Sequence, residues 1–82
     1  MTEAQLKSFP AFQSLPVYDE RDQRADAITA AGPDGPYRAI KECPTLRLVE
    51  ESLRDPRLIP LGALRAGPPG EQVVVAYFGE QR

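Results

Sequence analysis

The side chain best suited to chemistry is the thiol of Cys43, the only cysteine of the chain. Cys43 precedes Pro44, a residue that suits the first position of a helix. Free N–H groups and the helix dipole stabilise a thiolate there, so the pair predicts a redox-sensitive thiol or a soft ligand of a haem-responsive site. The alternative is a small, half-buried residue without chemistry. This alternative is favoured because the chain has no histidine, the usual base beside a catalytic cysteine.

A cluster of carboxylates is the other group that could bind a metal ion or transfer a proton. Its members are Asp19, Glu20, Asp22 and Asp26. Arg21 and Arg24 alternate with them and neutralise the cluster, so we interpret it as a solvated charged segment. A single cysteine and no histidine exclude a multi-cysteine zinc site, and the chain has no phosphate-binding glycine loop. We therefore expect no catalytic residue, no metal site and no cofactor.

The charge balance bears on the class of partner. The chain has 10 basic and 12 acidic residues, which argues against general nucleic-acid binding, because that binding depends on cations that neutralise phosphates. Arginine nevertheless outnumbers lysine, and arginine suits interfaces, although codon usage in a GC-rich genome gives the same bias. The arginines that could line one surface are Arg38, Arg47, Arg54, Arg57 and Arg65. A nucleic-acid-contacting regulator is thus an alternative function.

Large apolar residues recur every three positions at the start of the chain. They are Leu6, Phe9, Phe12 and Leu15. Residues 2–5 have the form of a capping box, which predicts a short helix that begins at Thr2 and ends near Phe9, before Pro10. An amphipathic segment with this spacing presents anchors to a partner's groove, so the four residues are candidate partner-binding residues. The alternative is that this N-terminal stripe folds back onto its own sheet.

The strongest predicted helix covers residues 44–54, with Leu46, Val49 and Leu53 on its buried stripe. A Gly-Pro-x-Gly connector on each side of this helix predicts a hairpin. The strands of the first hairpin fall near residues 26–30 and 37–41, although residues 24–31 could also form a helix. The second hairpin begins near Leu58.

The second hairpin ends in residues 73–78, which are rich in β-branched and aromatic side chains. Alternation puts Tyr77 and two valines on one face, and Phe78 with Val74 and Ala76 on the other. Apolar groups on both faces predict a central strand, or an edge strand that a second copy completes by strand addition. Tyr77 is therefore a further candidate for partner binding, and a homodimer is one form that the partner could take.

Together these elements predict an α+β fold in one small domain over residues 1–82. A helical, apolar arm (1–18) precedes a ββαββ core (26–79), in which one helix covers a four-stranded antiparallel sheet. The chain shows no signal-peptide pattern, and its longest apolar run is far shorter than the ~20 residues of a membrane helix. We expect a cytoplasmic, non-enzymatic protein-interaction module that acts as an accessory or regulatory protein. The alternatives are the nucleic-acid regulator and a thiol-based redox or haem-responsive protein centred on Cys43.

Overall fold

A computed structural model of the chain describes residues 1–19, 35–68, 70 and 73–82. Two short helical pieces open the chain, and the strands of one sheet and a longer helix follow. In chain order the elements are α1 (Glu3–Lys7), a 3-10 helix (Pro10–Phe12), β1 (Val17–Tyr18), β2 (Tyr37–Cys43), α2 (Leu46–Leu53), β3 (Leu58–Ala66) and β4 (Val73–Gln81).

The strands in the described ranges form one sheet in the order β1-β3-β4-β2. This confirms the predicted α+β class, with an N-terminal helix before the strands and a helix between them. The β2–β4 and β3–β4 pairs are antiparallel as predicted, but the sheet is mixed, because β1 runs parallel to β3, with Val17 opposite Ala63. The predicted strand at residues 26–30, and the choice of helix or strand for 24–31, lie outside the described residues.

Side-chain caps fix where both helices begin. The Thr2 hydroxyl accepts from the N–H of Gln5, and the Gln5 side chain accepts from the N–H of Thr2, at 3.1 and 2.9 Å. This reciprocal pair confirms the predicted capping box. The Thr45 hydroxyl accepts from the N–H of Leu48, so α2 begins at Leu46, after Thr45.

The core lies between the helices and one face of the sheet. Its buried members are Leu6, Phe12, Cys43, Val49, Ala63, Val74, Ala76 and Phe78. The rings of Phe12 and Phe78 meet edge to face, with their centroids 5.6 Å apart. Because alternate residues of β4 belong to this cluster, the residues between them point to the opposite face.

Strand β4 is the central strand of the antiparallel part of the sheet, as one of the two sequence interpretations predicted. It pairs with β3 on one side and with β2 on the other. The other interpretation, an edge strand that a second copy completes, is wrong for residues 73–78, because both hydrogen-bonding edges of β4 are already paired.

Candidate functional site

The sheet face opposite the helices carries all three tyrosines of the chain, and we call it the tyrosine face. Tyr77 lies between two core residues of β4 and therefore points away from the core. Tyr18 stacks on Tyr77, with ring centroids 6.5 Å apart and planes 30° apart. Tyr37 lies over Gly79, the second residue after Tyr77. The phenylalanines, in contrast, all lie on the helix side, where Phe9 packs against the cluster that contains the other two.

A glycine of β3 makes the contact between Tyr18 and Tyr77 possible. Strand β3 lies between β1 and β4, and Gly62 of β3 is paired with Tyr77. A Cβ atom at Gly62 would lie 3.0 Å from the Tyr77 hydroxyl oxygen and 2.7 Å from the carbonyl oxygen of Pro16. Because Gly62 has no Cβ atom, the Tyr77 ring can extend over β3 toward Tyr18. For the same reason, the carbonyl oxygen of Pro16 can accept a hydrogen bond from the N–H of Ala63 at 3.0 Å.

The Tyr77 hydroxyl is in an environment that favours its neutral form. Burial raises the pKa of Tyr77 most, and the charge and hydrogen bond of the Tyr18 hydroxyl raise it further. A buried phenol keeps its proton and needs a hydrogen-bond partner, and Tyr18 supplies one. Tyr77 thus contributes a neutral phenol to the face.

A second glycine accommodates Tyr37 in the same manner. A Cβ atom at Gly79 would lie 2.5 to 2.8 Å from three atoms of the Tyr37 ring. The Tyr37 ring therefore lies over Gly79 of the neighbouring strand β4 and occupies the space that a side chain at position 79 would fill. Two tyrosines on different strands, each placed over a glycine, make this surface aromatic along much of its width.

Most of the remaining strand residues of the tyrosine face are apolar. By alternation and register, the large apolar ones are Ile40, Ile59, Leu64, Val73 and Val75. Leu64 and Tyr77 are 6% and 3% exposed and form the base, whereas Val73, 46% exposed, lies at the margin. Among the strand residues that the structure describes, Glu42 is the only charged residue that alternates onto this face. Arg38 lies at the bulge of β2 and forms an ion pair with Glu80.

The N-terminal stripe packs on its own sheet, which was the alternative to partner binding. Leu6 and Phe12 are 0% and 1% exposed within the core. Phe9 and Leu15 are partly buried and pack against the same cluster. Leu6 and Phe12 therefore have no exposed surface to offer to a partner in this conformation.

Lys7 holds the turn that carries this stripe, and the sequence pattern did not single it out. Its ammonium group donates to the carbonyl oxygens of Phe12 and Leu15 at 2.9 and 2.7 Å, and to that of Gln13 at 3.4 Å. Three backbone acceptors thus converge on one cation. Only the position of lysine at the end of a short helix, where cations are favoured, could have indicated this role.

Arg65 forms the most extended ion-pair group among the residues described. Its guanidinium donates to Glu3 of α1 and to Asp19 after β1. These hydrogen bonds raise the pKa of Arg65, that with Asp19 contributing most. Asp19 is the one member of the predicted carboxylate cluster that the structure describes, and it pairs with a cation.

Three of the other candidate arginines, Arg38, Arg47 and Arg57, form ion pairs with acidic residues in the described part of the chain. Arg47 pairs with Glu51 and Arg57 with Asp55, each within its own segment. Their acidic neighbours offset the charges that a phosphate backbone would require. The described residues contain no group of three potential metal ligands.

Cys43 ends β2 with its side chain inside the core, where it has no exposed surface. Its sulfur lies 3.4 Å from the hydroxyl oxygen of Ser52 on α2. Thr45, two residues later, caps the helix, so the thiol does not sit at the free N–H groups of the helix as the sequence suggested. Cys43 is thus buried more deeply than the half-buried residue that the sequence interpretation expected.

Within the described ranges, no helix combines the length and the apolar composition needed to cross a membrane. Comparisons of the chain with protein-family models, with curated proteins and with solved structures find no match.

Proposed function

We propose that this chain is a non-enzymatic protein-interaction module, a small accessory or regulatory protein of the cytoplasm that binds a protein partner through the tyrosine face. The observation that carries the proposal is the segregation of aromatic residues, with phenylalanine on the helix side and tyrosine on the other. Tyrosine offers a large apolar ring together with a hydroxyl that tolerates water, which is why it is enriched in protein interfaces.

The charge distribution supports a protein partner over a nucleic acid. Interface cores are depleted of charged residues, and Glu42 is the only charged strand residue described on this face. Aromatic rings can also stack on bases, but single-stranded nucleic-acid sites combine such rings with cations along the backbone path. The described strands place no lysine or arginine among the rings by alternation, so we do not propose the nucleic-acid function.

The arrangement of exposure on the face also resembles a binding surface. Tyr77 and Leu64 form a buried base, and half-buried side chains such as Tyr37 and Ile40 surround it. In many interfaces a few aromatic anchors near the centre contribute most of the affinity. Tyr18 and Tyr37, on the two outer strands of the sheet, offer aromatic rings on either side of this base.

The test compares binding by a variant of the face with binding by a matched variant of the helix side. Ile40→Thr combined with Val73→Thr makes the face more polar, whereas Leu46→Thr changes a half-buried residue of α2. Each protein is examined by light scattering over a range of concentrations and used to capture partners from an extract of the source organism. We expect the unmodified protein and Leu46→Thr to bind a specific partner or a second copy of the chain, and the face variant to lose this binding. The proposal fails if no complex forms, or if both variants bind like the unmodified protein.

A further inference from the structure

Arg65 connects both ends of the N-terminal segment to strand β3. One nitrogen of its guanidinium group donates to Glu3, at the start of α1, and another donates to Asp19, which follows β1. The Arg65 side chain is 28% exposed, and those of Glu3 and Asp19 are 42% and 63% exposed, so salt ions can reach these ion pairs. A guanidinium that pairs with two carboxylates fixes geometry as well as charge.

Among the described residues, the strand next to Asp19 is held by a short pairing with β3, by packing of Val17 against the core and by contacts at its ends. Strand β1 consists of Val17 and Tyr18, which pair with two residues of β3. So short a pairing contributes few hydrogen bonds, and its persistence therefore depends on contacts at its ends. Before β1, the Pro16 carbonyl accepts from Ala63, and after β1, Asp19 pairs with Arg65.

Tyr18 makes the position of β1 matter for the tyrosine face. Its ring stacks on Tyr77 and forms one end of the face. Arg65 points to the helix side, toward Glu3, while its neighbour Leu64 alternates onto the tyrosine face. The ion pairs and the aromatic stack thus hold β1 from opposite sides of the sheet.

We propose that Arg65 is a positioning residue for the tyrosine face: its ion pairs with Asp19 and Glu3 keep β1 paired with β3 and so keep Tyr18 stacked on Tyr77. Salt that screens these pairs, or an anionic group that competes for the guanidinium, loosens β1 and removes Tyr18 from the face. The biological meaning of this inference rests on the proposed function, because it makes partner binding depend on ion pairs outside the interface. Screening grows with ionic strength, which provides the test.

The test uses the free protein, so its failure is distinguishable from failure to find a partner. The N–H of Ala63 reports the docking of β1, because it donates to Pro16. Its hydrogen exchange is measured by NMR at about 0.05 M and about 0.5 M NaCl, together with the proton contacts between the Tyr18 and Tyr77 rings. Amides of β4 report global unfolding in the same spectra.

Arg65→Gln is compared with Arg47→Gln, which removes the same charge from an exposed pair within α2. We expect Arg65→Gln to speed Ala63 exchange by about three- to tenfold, to weaken the ring contacts and to abolish the salt effect. Arg65→Lys keeps the charge without the two-pronged geometry and should be intermediate, while Arg47→Gln should match the unmodified protein. The proposal is overturned if Arg65→Gln leaves Ala63 exchange and the ring contacts unchanged. If that variant does not fold, salt-independent Ala63 exchange in the unmodified protein overturns it.

Discussion

Tyr77 stacks on Tyr18 across the strand that separates them, because Gly62 of that strand has no side chain. The same absence lets the carbonyl of Pro16 approach β3 and accept from Ala63. Gly62 thus allows both the docking of β1 at the edge of the sheet and the stacking of the two tyrosines on its surface. The tyrosine face depends on this local geometry as much as on the tyrosines themselves.

Alanine at position 62 should destabilise the protein by steric overlap. Its Cβ atom would lie 2.7 Å from the Pro16 oxygen and 3.0 Å from the Tyr77 oxygen, and the φ of +157° at this position is one that L side chains rarely adopt. We therefore expect the free energy of unfolding to fall by about 2–4 kcal/mol, more than for a backbone penalty alone. Urea denaturation measures this change. Gly70→Ala is the control, because a Cβ atom at position 70 would meet no atom within 4 Å. Only the left-handed backbone at Gly70 lowers the stability of this variant, by about 1 kcal/mol. Equal stabilities of the two variants would contradict the proposed overlap.

Replacing Lys7 by methionine should loosen the N-terminal turn. Methionine keeps much of the side-chain length but leaves the carbonyls of Phe12 and Leu15 without their cation. We expect a loss of about 1–3 kcal/mol in unfolding free energy, the usual cost of a partly buried acceptor without a partner. Lys41→Met, on an exposed residue of β2, provides the matched control in thermal or urea unfolding. A Lys7→Met protein as stable as its control would show that the three carbonyls do not need the ammonium.

The raised pKa of Tyr77 predicts a loss of stability in alkali. The ordinary pKa of a tyrosine is 10.0, and burial raises the pKa of Tyr77 above this value in the folded state. The folded protein therefore keeps the Tyr77 proton at a pH at which the unfolded chain has released it. The stabilisation is therefore complete below about pH 10 and declines as the pH rises further. Urea denaturation at several alkaline pH values should show a shallower decline for Tyr77→Phe than for Tyr37→Phe. Identical slopes for the two variants would contradict the assigned environment of Tyr77.

The buried position of Cys43 predicts a slow thiol reaction. Its sulfur has no exposed surface and lies beside Ser52, so a disulfide reagent such as Ellman's reagent reaches it only when the core opens. We expect labelling of the folded protein to be slower than that of the urea-unfolded chain by a factor of at least about a hundred. Rapid labelling of the folded protein would contradict the buried position of Cys43 and would support the redox hypothesis.

The local features of the fold are visible in the sequence. Thr2 and Gln5 predict the first helix, because all the residues of a capping box lie within four positions of the sequence. The long second helix and the hairpin of β3 and β4 follow from hydrophobic periodicity and turn residues. Alternation alone places Tyr77 and Phe78 on opposite faces of a strand with apolar residues on both sides.

The arrangement between distant segments is not visible in the sequence. Strand β1 has only two residues, too few for a periodic pattern, and it enters parallel to β3. Arg65 meets partners that are 46 and 62 residues away, and no local spacing specifies such pairs. Tyr18 and Tyr37 join Tyr77 only through the register of the sheet and the two glycines. Of the three tyrosines of the tyrosine face, the sequence pattern therefore indicated only Tyr77 as a candidate for partner binding.

Site-specific photocrosslinking tests most directly whether the tyrosine face binds a protein. A photoreactive phenylalanine analogue replaces Tyr37 on the face or, as a control, Arg47 on the outer surface of α2, and the cells of the source organism are irradiated. We predict that position 37 gives a discrete adduct with a protein partner or with a second copy of the chain, and that position 47 gives none. Adducts from position 47 alone, or no adduct from either position, would contradict binding through this face.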